Sequence, residues 1–93
     1  MSQAGATVIT LRALAGEPLA DPAIERMVTA AARAIAERQG VEVSAIETAP
    51  DRITVALAGD RVIALGFAAE LRRVTTAWYT GKYGAATLWG EPE

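Results

Sequence analysis

The apolar residues of this chain change their spacing at Gly40, from a helical period before it to an alternating period after it. Apolar side chains recur at helical spacing from Ile24 to Ile35, which predicts an amphipathic helix over residues 22–39. The Asp-Pro pair at its start and Gly40 at its end are typical helix boundaries. A helix followed by strands indicates an α+β fold.

Three segments predict the strands of a small antiparallel sheet. Val41 to Thr48 and Ile53 to Leu57 flank a turn at Pro50-Asp51, and the second of them alternates most clearly. Thr7 to Leu11 is rich in residues that favour an extended backbone and predicts a first strand that precedes the helix. We expect residues 1–6 to be disordered and the chain to form a single domain over residues 1–93.

Residues 60–65 allow two structures. In the first, Gly59-Asp60 forms a hairpin loop that leads into a strand at Arg61 to Leu65, with a second helix over Phe67 to Thr80. In the second, Asp60 caps a helix that begins at once. We predict the hairpin, because Val62-Ile63 favours strand and Gly66 weakens a continuous helix.

A short resemblance also favours the hairpin. The run from Ala58 to Gly66 resembles a hairpin segment near the start of amidohydrolase-family enzymes. The resemblance implies the local conformation alone, because the metal-binding His residues of that family have no counterpart in this chain. The predicted fold is therefore α+β, with a small antiparallel sheet of three or four strands and two amphipathic helices in the order (β)αβββα.

Composition excludes several classes of protein. Nine basic and 11 acidic residues give a net charge of −2, which argues against a polybasic nucleic-acid or membrane-surface protein. The chain has no Cys and no His, and it lacks the Gly-rich phosphate-binding motifs. We predict no catalytic residue, no metal site and no cofactor. Since no secretion signal or long apolar run is present, we expect a cytoplasmic location and no membrane partner.

All five aromatic residues lie in the last third of the chain. Phe67 and Trp78 fall on the apolar stripe of the second helix, which predicts that they pack in the core. We expect the C-terminal segment to be ordered and to dock on its own domain or, more specifically, on a second subunit. The candidate interaction surface consists of Tyr79, Tyr83, Leu88 and Trp89.

The predicted function is a small non-catalytic protein-interaction or assembly module. The predicted hairpin is apolar on both faces, so one face needs a cover, and 21 Ala residues leave few large side chains for the core. Self-association as a homodimer would satisfy both requirements, and an unidentified protein partner is the other possibility. An accessory subunit of an enzyme is a further alternative.

The remaining alternative is a nucleic-acid-binding domain. The sequence Gly81-Lys82-Tyr83-Gly84 resembles the GxxG loop of KH domains, which implies contact with a nucleic-acid backbone. The candidate contacts are Arg72, Arg73 and Lys82. The competing interpretation is simple helix termination by glycine. We expect the helical Glu70 to form a surface ion pair with Arg73.

Overall fold

The computed structural model describes residues 6–84 and 88–90, which form a three-stranded antiparallel sheet and two helices. A 3-10 turn, Pro18–Ala20, precedes the first helix. The predicted α+β class is confirmed, in the order βαββα. The elements are β1 (Ala6–Arg12), α1 (Pro22–Gln39), β2 (Val43–Ala49), β3 (Arg52–Ala58) and α2 (Arg61–Tyr83).

The strand order is β1-β3-β2, so β3 is the central strand and β1 is an edge strand. Ile9 of β1 pairs with Val55 of β3, and β2 pairs with the opposite edge of β3 through a register irregularity between Val43 and Ala45. The predicted first strand therefore joins the sheet. It begins at Ala6, and the rest of the segment expected to be disordered, residues 1–5, lies outside the described residues.

Both helices cover the same face of the sheet. Ile53, Val55 and Leu57 alternate along β3 and are buried against the helices. The opposite face carries mainly small and polar side chains together with the exposed Val8, and the hydroxyls of Thr10 and Thr54 lie 3.2 Å apart there. Helix α2 lies along β1, and α1 lies beside α2 and β2. The core is thus closed by the helices on one side only.

Helix α1 has the predicted bounds. The Asp21 carboxylate accepts a hydrogen bond of 2.8 Å from the backbone N–H of Ala23, and Pro22 occupies the first helical position. At the other end, the N–H of Gly40 donates to the carbonyl of Glu37. Local capping at both ends explains why this helix is readable from the sequence.

The predicted strand at residues 61–65 is wrong, because α2 begins at Arg61. Asp60 caps this helix and accepts a hydrogen bond of 3.0 Å from the N–H of Ile63. A strand here would need an edge of β3, yet β1 and β2 occupy both edges. A helix instead places Ala64, Phe67 and Leu71 on one buried stripe.

Gly59 turns the chain from β3 into α2 and is not part of a hairpin loop. Its φ of 139° lies in the region that favours glycine, and an added Cβ would lie 2.9 Å from Cγ2 of Ile63. The hairpin implied by the amidohydrolase resemblance is therefore absent. The two apolar hairpin faces, one of which would have needed a dimer partner as its cover, are absent as well.

Replacement of Asp60 by Ala should destabilise the protein by about 1 kcal/mol, because the N-terminal N–H groups of α2 lose their side-chain acceptor. Asp60→Asn keeps an acceptor oxygen and should retain most of the stability. Chemical denaturation followed by circular dichroism measures both variants. Equal stability of Asp60→Ala and the unmodified protein would contradict the assigned helix start.

Candidate interaction groove beside β1

A groove of about 430 Å³ lies between β1 and α2. Thr7 to Leu11 form its strand side, and none of the described residues that line it carries a carboxylate. The α2 side was missed in the sequence because its first turns were assigned to a strand. It consists of Arg61, Ala64, Leu65, Ala68, Ala69 and Arg72.

The backbone of β1 is open toward this groove. The N–H of Ala13 donates to Asp51 beside β3, whereas the N–H of Leu14 donates to the carbonyl of Leu88 on the opposite side. Alternate residues of an antiparallel strand direct their backbone groups to the same side, so Val8 and Thr10 direct theirs away from β3. In the described part of the chain, no strand pairs with them on that side.

Before Arg12, the β1 edge lacks the charged residues and proline that often protect edge strands. Residues 6–11 contain no charged residue and no proline. Val8 is 62% exposed on the strand, and Leu65 is 56% exposed on the facing helix. Among the described residues, backbone groups without a strand partner on β1 and the exposed apolar side chain of Leu65 on α2 therefore occur at the same groove.

The C-terminal segment occupies the end of the same edge. The N–H of Gly90 donates to the carbonyl of Arg12 at 2.8 Å, and Trp89 forms an antiparallel bridge with Ala13. Residues 88–90 thus pair with residues 12–14 as a minimal fourth strand. The neighbouring stretches 85–87 and 91–93 of the expected docking element lie outside the described residues.

Leu88 and Trp89 are buried in the core of their own chain. Trp89 is 2% exposed, and its indole Nε1–H donates to Thr75 Oγ1 at 2.8 Å. The Thr75 hydroxyl in turn donates to the carbonyl of Leu71. The segment therefore docks on its own domain, which is one of the two predicted docking sites. Because Leu88 and Trp89 are buried, they do not belong to an exposed interaction surface.

Tyr79 and Tyr83 lie near the C-terminal end of α2, with ring centroids 5.1 Å apart. Tyr79 is half-buried and Tyr83 is 44% exposed. Trp78, expected in the core, is half-buried and contacts Tyr83 edge to face at 5.9 Å. Seven- and eleven-residue spacings place the two tyrosines on the same side of α2 as Arg72.

The GxxG sequence is not a loop between helices. Residues 81–83 form the last turn of α2, and the N–H of Gly84 donates to the carbonyl of Thr80. Gly84 has φ 71° and ends the helix in the left-handed conformation. The loop implied by the KH resemblance is wrong, and helix termination is correct.

The three candidate nucleic-acid contacts have different surroundings. Arg72 is half-buried and donates to the carbonyl of Gly90, whereas Arg73 is exposed and forms an ion pair with Glu70. Lys82 is exposed, with Nζ 6.0 Å from the ring centroid of Trp78. The two arginines therefore already hold partners within the chain.

Glu70 joins the two helices electrostatically. Its carboxylate lies 2.6 Å from Arg73 and 3.1 Å from Arg38 of α1, so the predicted pair with Arg73 is confirmed. The contact with Arg38 could not be read from local spacing, because it depends on how the helices pack. The hydrogen bond from Arg73 lowers the pKa of Glu70, and the same contact raises the pKa of Arg73.

Further findings concern metal binding, membrane-spanning helices and similarity to known proteins. Among the described residues, no cluster of three or more His, Asp or Glu side chains could hold a metal ion. No helix in that part of the chain is long and apolar enough to cross a bilayer. No protein-family model matches the chain, and no curated protein is significantly similar to it in sequence.

Replacement of Thr75 by Val should destabilise the protein by about 1–3 kcal/mol, because the shape is kept while the buried indole N–H of Trp89 loses the Thr75 hydroxyl. Thr75→Ser retains the acceptor and should lose less. Urea denaturation monitored by tryptophan fluorescence gives both values. If Thr75→Val and Thr75→Ser were equally stable, the hydrogen bond would not hold the C-terminal segment.

Replacement of Arg73 by Gln should raise the pKa of Glu70 toward its ordinary value, because the main hydrogen bond to the carboxylate is weakened. The lowered pKa contributes stability above the ordinary Glu range, and this contribution is lost as the pH falls through the folded-state pKa. Carboxyl carbon shifts measured by NMR against pH report the change. The exposed Arg33→Gln on α1 is the control and should leave the Glu70 titration unchanged.

Proposed function

We propose that this protein is a non-catalytic protein-interaction module that binds an extended segment along the open edge of β1. The observation that carries the proposal is the coincidence of two features in one groove. The backbone groups of Val8 and Thr10 are directed into it, and the apolar side chain of Leu65 lines its opposite side. Proteins that recognise peptides by strand addition combine these two kinds of contact.

The C-terminal segment supports this mode of binding. Residues 88–90 form antiparallel hydrogen bonds with Arg12 and Leu14 on the side of β1 that faces away from β3. The edge is therefore able to pair with a further strand in the space beside α2. An occupant of the groove would continue this pairing toward Val8.

A bound segment would also bury apolar surface. In an extended occupant, every second side chain would face α2, where Ala64, Ala68 and Ala69 leave room for larger groups. Backbone bonds to Val8 and Thr10 would give affinity, while the small alanines would select side chains by size.

The predicted homodimer stays a prediction. A second copy could pair its own β1 with the same edge, which would make the protein an assembly module. Light scattering over a range of micromolar concentrations tests this form of the function, and a constant monomeric mass would exclude it.

Replacement of Thr10 by Pro should abolish strand addition while the sheet is kept. The N–H of Thr10 points into the groove, so proline removes a donor on the open edge but no bond to β3. Thr10→Val is the matched control, because it also loses the hydroxyl contact with Thr54 but keeps the N–H. Linear peptides selected on the unmodified protein from a phage-displayed random library serve as probes.

We expect the selected peptides to bind Thr10→Val as they bind the unmodified protein and to bind Thr10→Pro at least tenfold more weakly. Circular dichroism and thermal melting verify that both variants are folded. If selection yields no binding peptide and the protein is also monomeric, the proposed function is wrong. Equal binding to the proline variant would likewise exclude the edge as the binding site.

A further inference from the structure

We infer that the occupant of this groove is an extended acidic segment that runs antiparallel to β1. It carries two carboxylates four or six residues apart, with apolar side chains at alternate positions between them. The inference rests on the proposed function and specifies the partner's chemistry. Its basis is the placement of Arg61 and Arg72 at the two ends of the groove.

The charge of the groove is opposite in sign to that of the whole protein. The chain has a net charge of −2, yet among the described residues that line the groove the two ionisable groups are both arginines. Within the described residues, neither Arg61 nor Arg72 forms an ion pair with a carboxylate. Arg72 donates from Nη1 to Gly90, which leaves other guanidinium N–H groups for a carboxylate.

The spacing of the arginines sets the spacing of the carboxylates. Eleven residues of helix separate Arg61 from Arg72, a rise of about 16 Å. An extended chain advances about 3.3 Å per residue, so five residues span about the same length. Only an even spacing places both carboxylates on the side that faces α2, and the reach of the two arginine side chains allows a spacing of four or six.

A second copy of this chain fits the groove less well than an acidic segment. Arg61 lies near the start of β1, where Thr7 bonds to the carbonyl of Gly59, and Arg72 lies near the end of β1 beside Gly90. A two-fold axis that pairs β1 with itself antiparallel brings Arg61 of one copy toward Arg72 of the other. Such like-charge contacts disfavour self-pairing.

The direction of the occupant follows from the C-terminal segment. Residues 88–90 run antiparallel to β1 on the open edge, so an occupant with the same direction continues one ladder. Its N-terminal end would then lie near Arg72 and its C-terminal end near Arg61.

The test uses capped seven-residue peptides and the full chain. The acidic probe has glutamate at the first and last positions, valine at the third and fifth, and threonine between. The matched probe carries lysine in place of both glutamates. Fluorescence anisotropy should show at least tenfold tighter binding of the acidic probe, with an affinity that falls as salt is added.

Arg61→Glu tests the assignment of one end. This variant should bind the acidic probe about tenfold more weakly and should prefer a probe with lysine at the last position only. Arg33→Glu, which makes the same charge change on α1, should bind as the unmodified protein does. A preference for lysine at the first position would overturn the antiparallel direction.

The remaining outcomes separate this inference from the proposed function. If library-selected peptides require the N–H of Thr10 but the acidic and lysine probes bind equally, the acidic partner is wrong and the strand-accepting edge stands. A dimer that Thr10→Pro dissociates would make a second copy the occupant and overturn the inference.

Discussion

The central position of β3 is the constraint on which the rest of the structure depends. Its inner side chains, Ile53, Val55 and Leu57, are buried under both helices, and its two edges are fully paired. No edge of β3 is left for a hairpin partner, so the residues after Gly59 form a helix despite their β-branched side chains. The same arrangement makes β1 an edge strand and places α2 beside it. Both sides of the groove thus follow from the pairing of one strand.

The indole of Trp89 determines how much of this edge is covered. Its hydrogen bond to Thr75 and its burial hold residues 88–90 against the last residues of β1. A tryptophan contributes a large buried area and needs a partner for its N–H, and Thr75 meets that need within the core. The segment therefore protects the end of the edge near Arg12, while in the described part of the chain no strand pairs with Val8 and Thr10 on this side.

The parts of the fold that local chemistry determines could be predicted from the sequence. Helix α1 carries its own cap at Asp21 and its own terminator at Gly40, and β3 alternates strictly. Residues 61–65 could not be assigned in this way, because the outcome depended on whether distant β1 paired with β3. Val62 is 76% exposed in α2, so its side chain gains little from packing in the helix. The pairing of β1 with β3 therefore overrides the preference of Val62 for a strand.

The candidate site was less predictable than the fold for the same reason. The aromatic residues predicted an interaction surface at the C-terminal end of the chain. Two of its four predicted residues, Leu88 and Trp89, are instead buried in the core. The groove combines β1, which ends at Arg12, with α2, which begins only at Arg61. No local sequence pattern predicts that β1 and α2 lie side by side. The position of this edge depends on the strand order and on the direction of the backbone hydrogen bonds, and neither follows from local sequence.

If the groove binds an extended segment as proposed, charge would give it a means of selection that its apolar surface lacks. Strand addition through backbone bonds is largely independent of sequence, and an apolar edge attracts other edges, including its own copy. Exposed ion pairs contribute little energy individually. Two arginines at opposite ends would nevertheless favour one register of an acidic segment, because a slip by two residues would move an acidic side chain away from its partner. They also oppose antiparallel self-pairing, so the same charges that would attract an acidic segment reduce the risk of edge-to-edge aggregation.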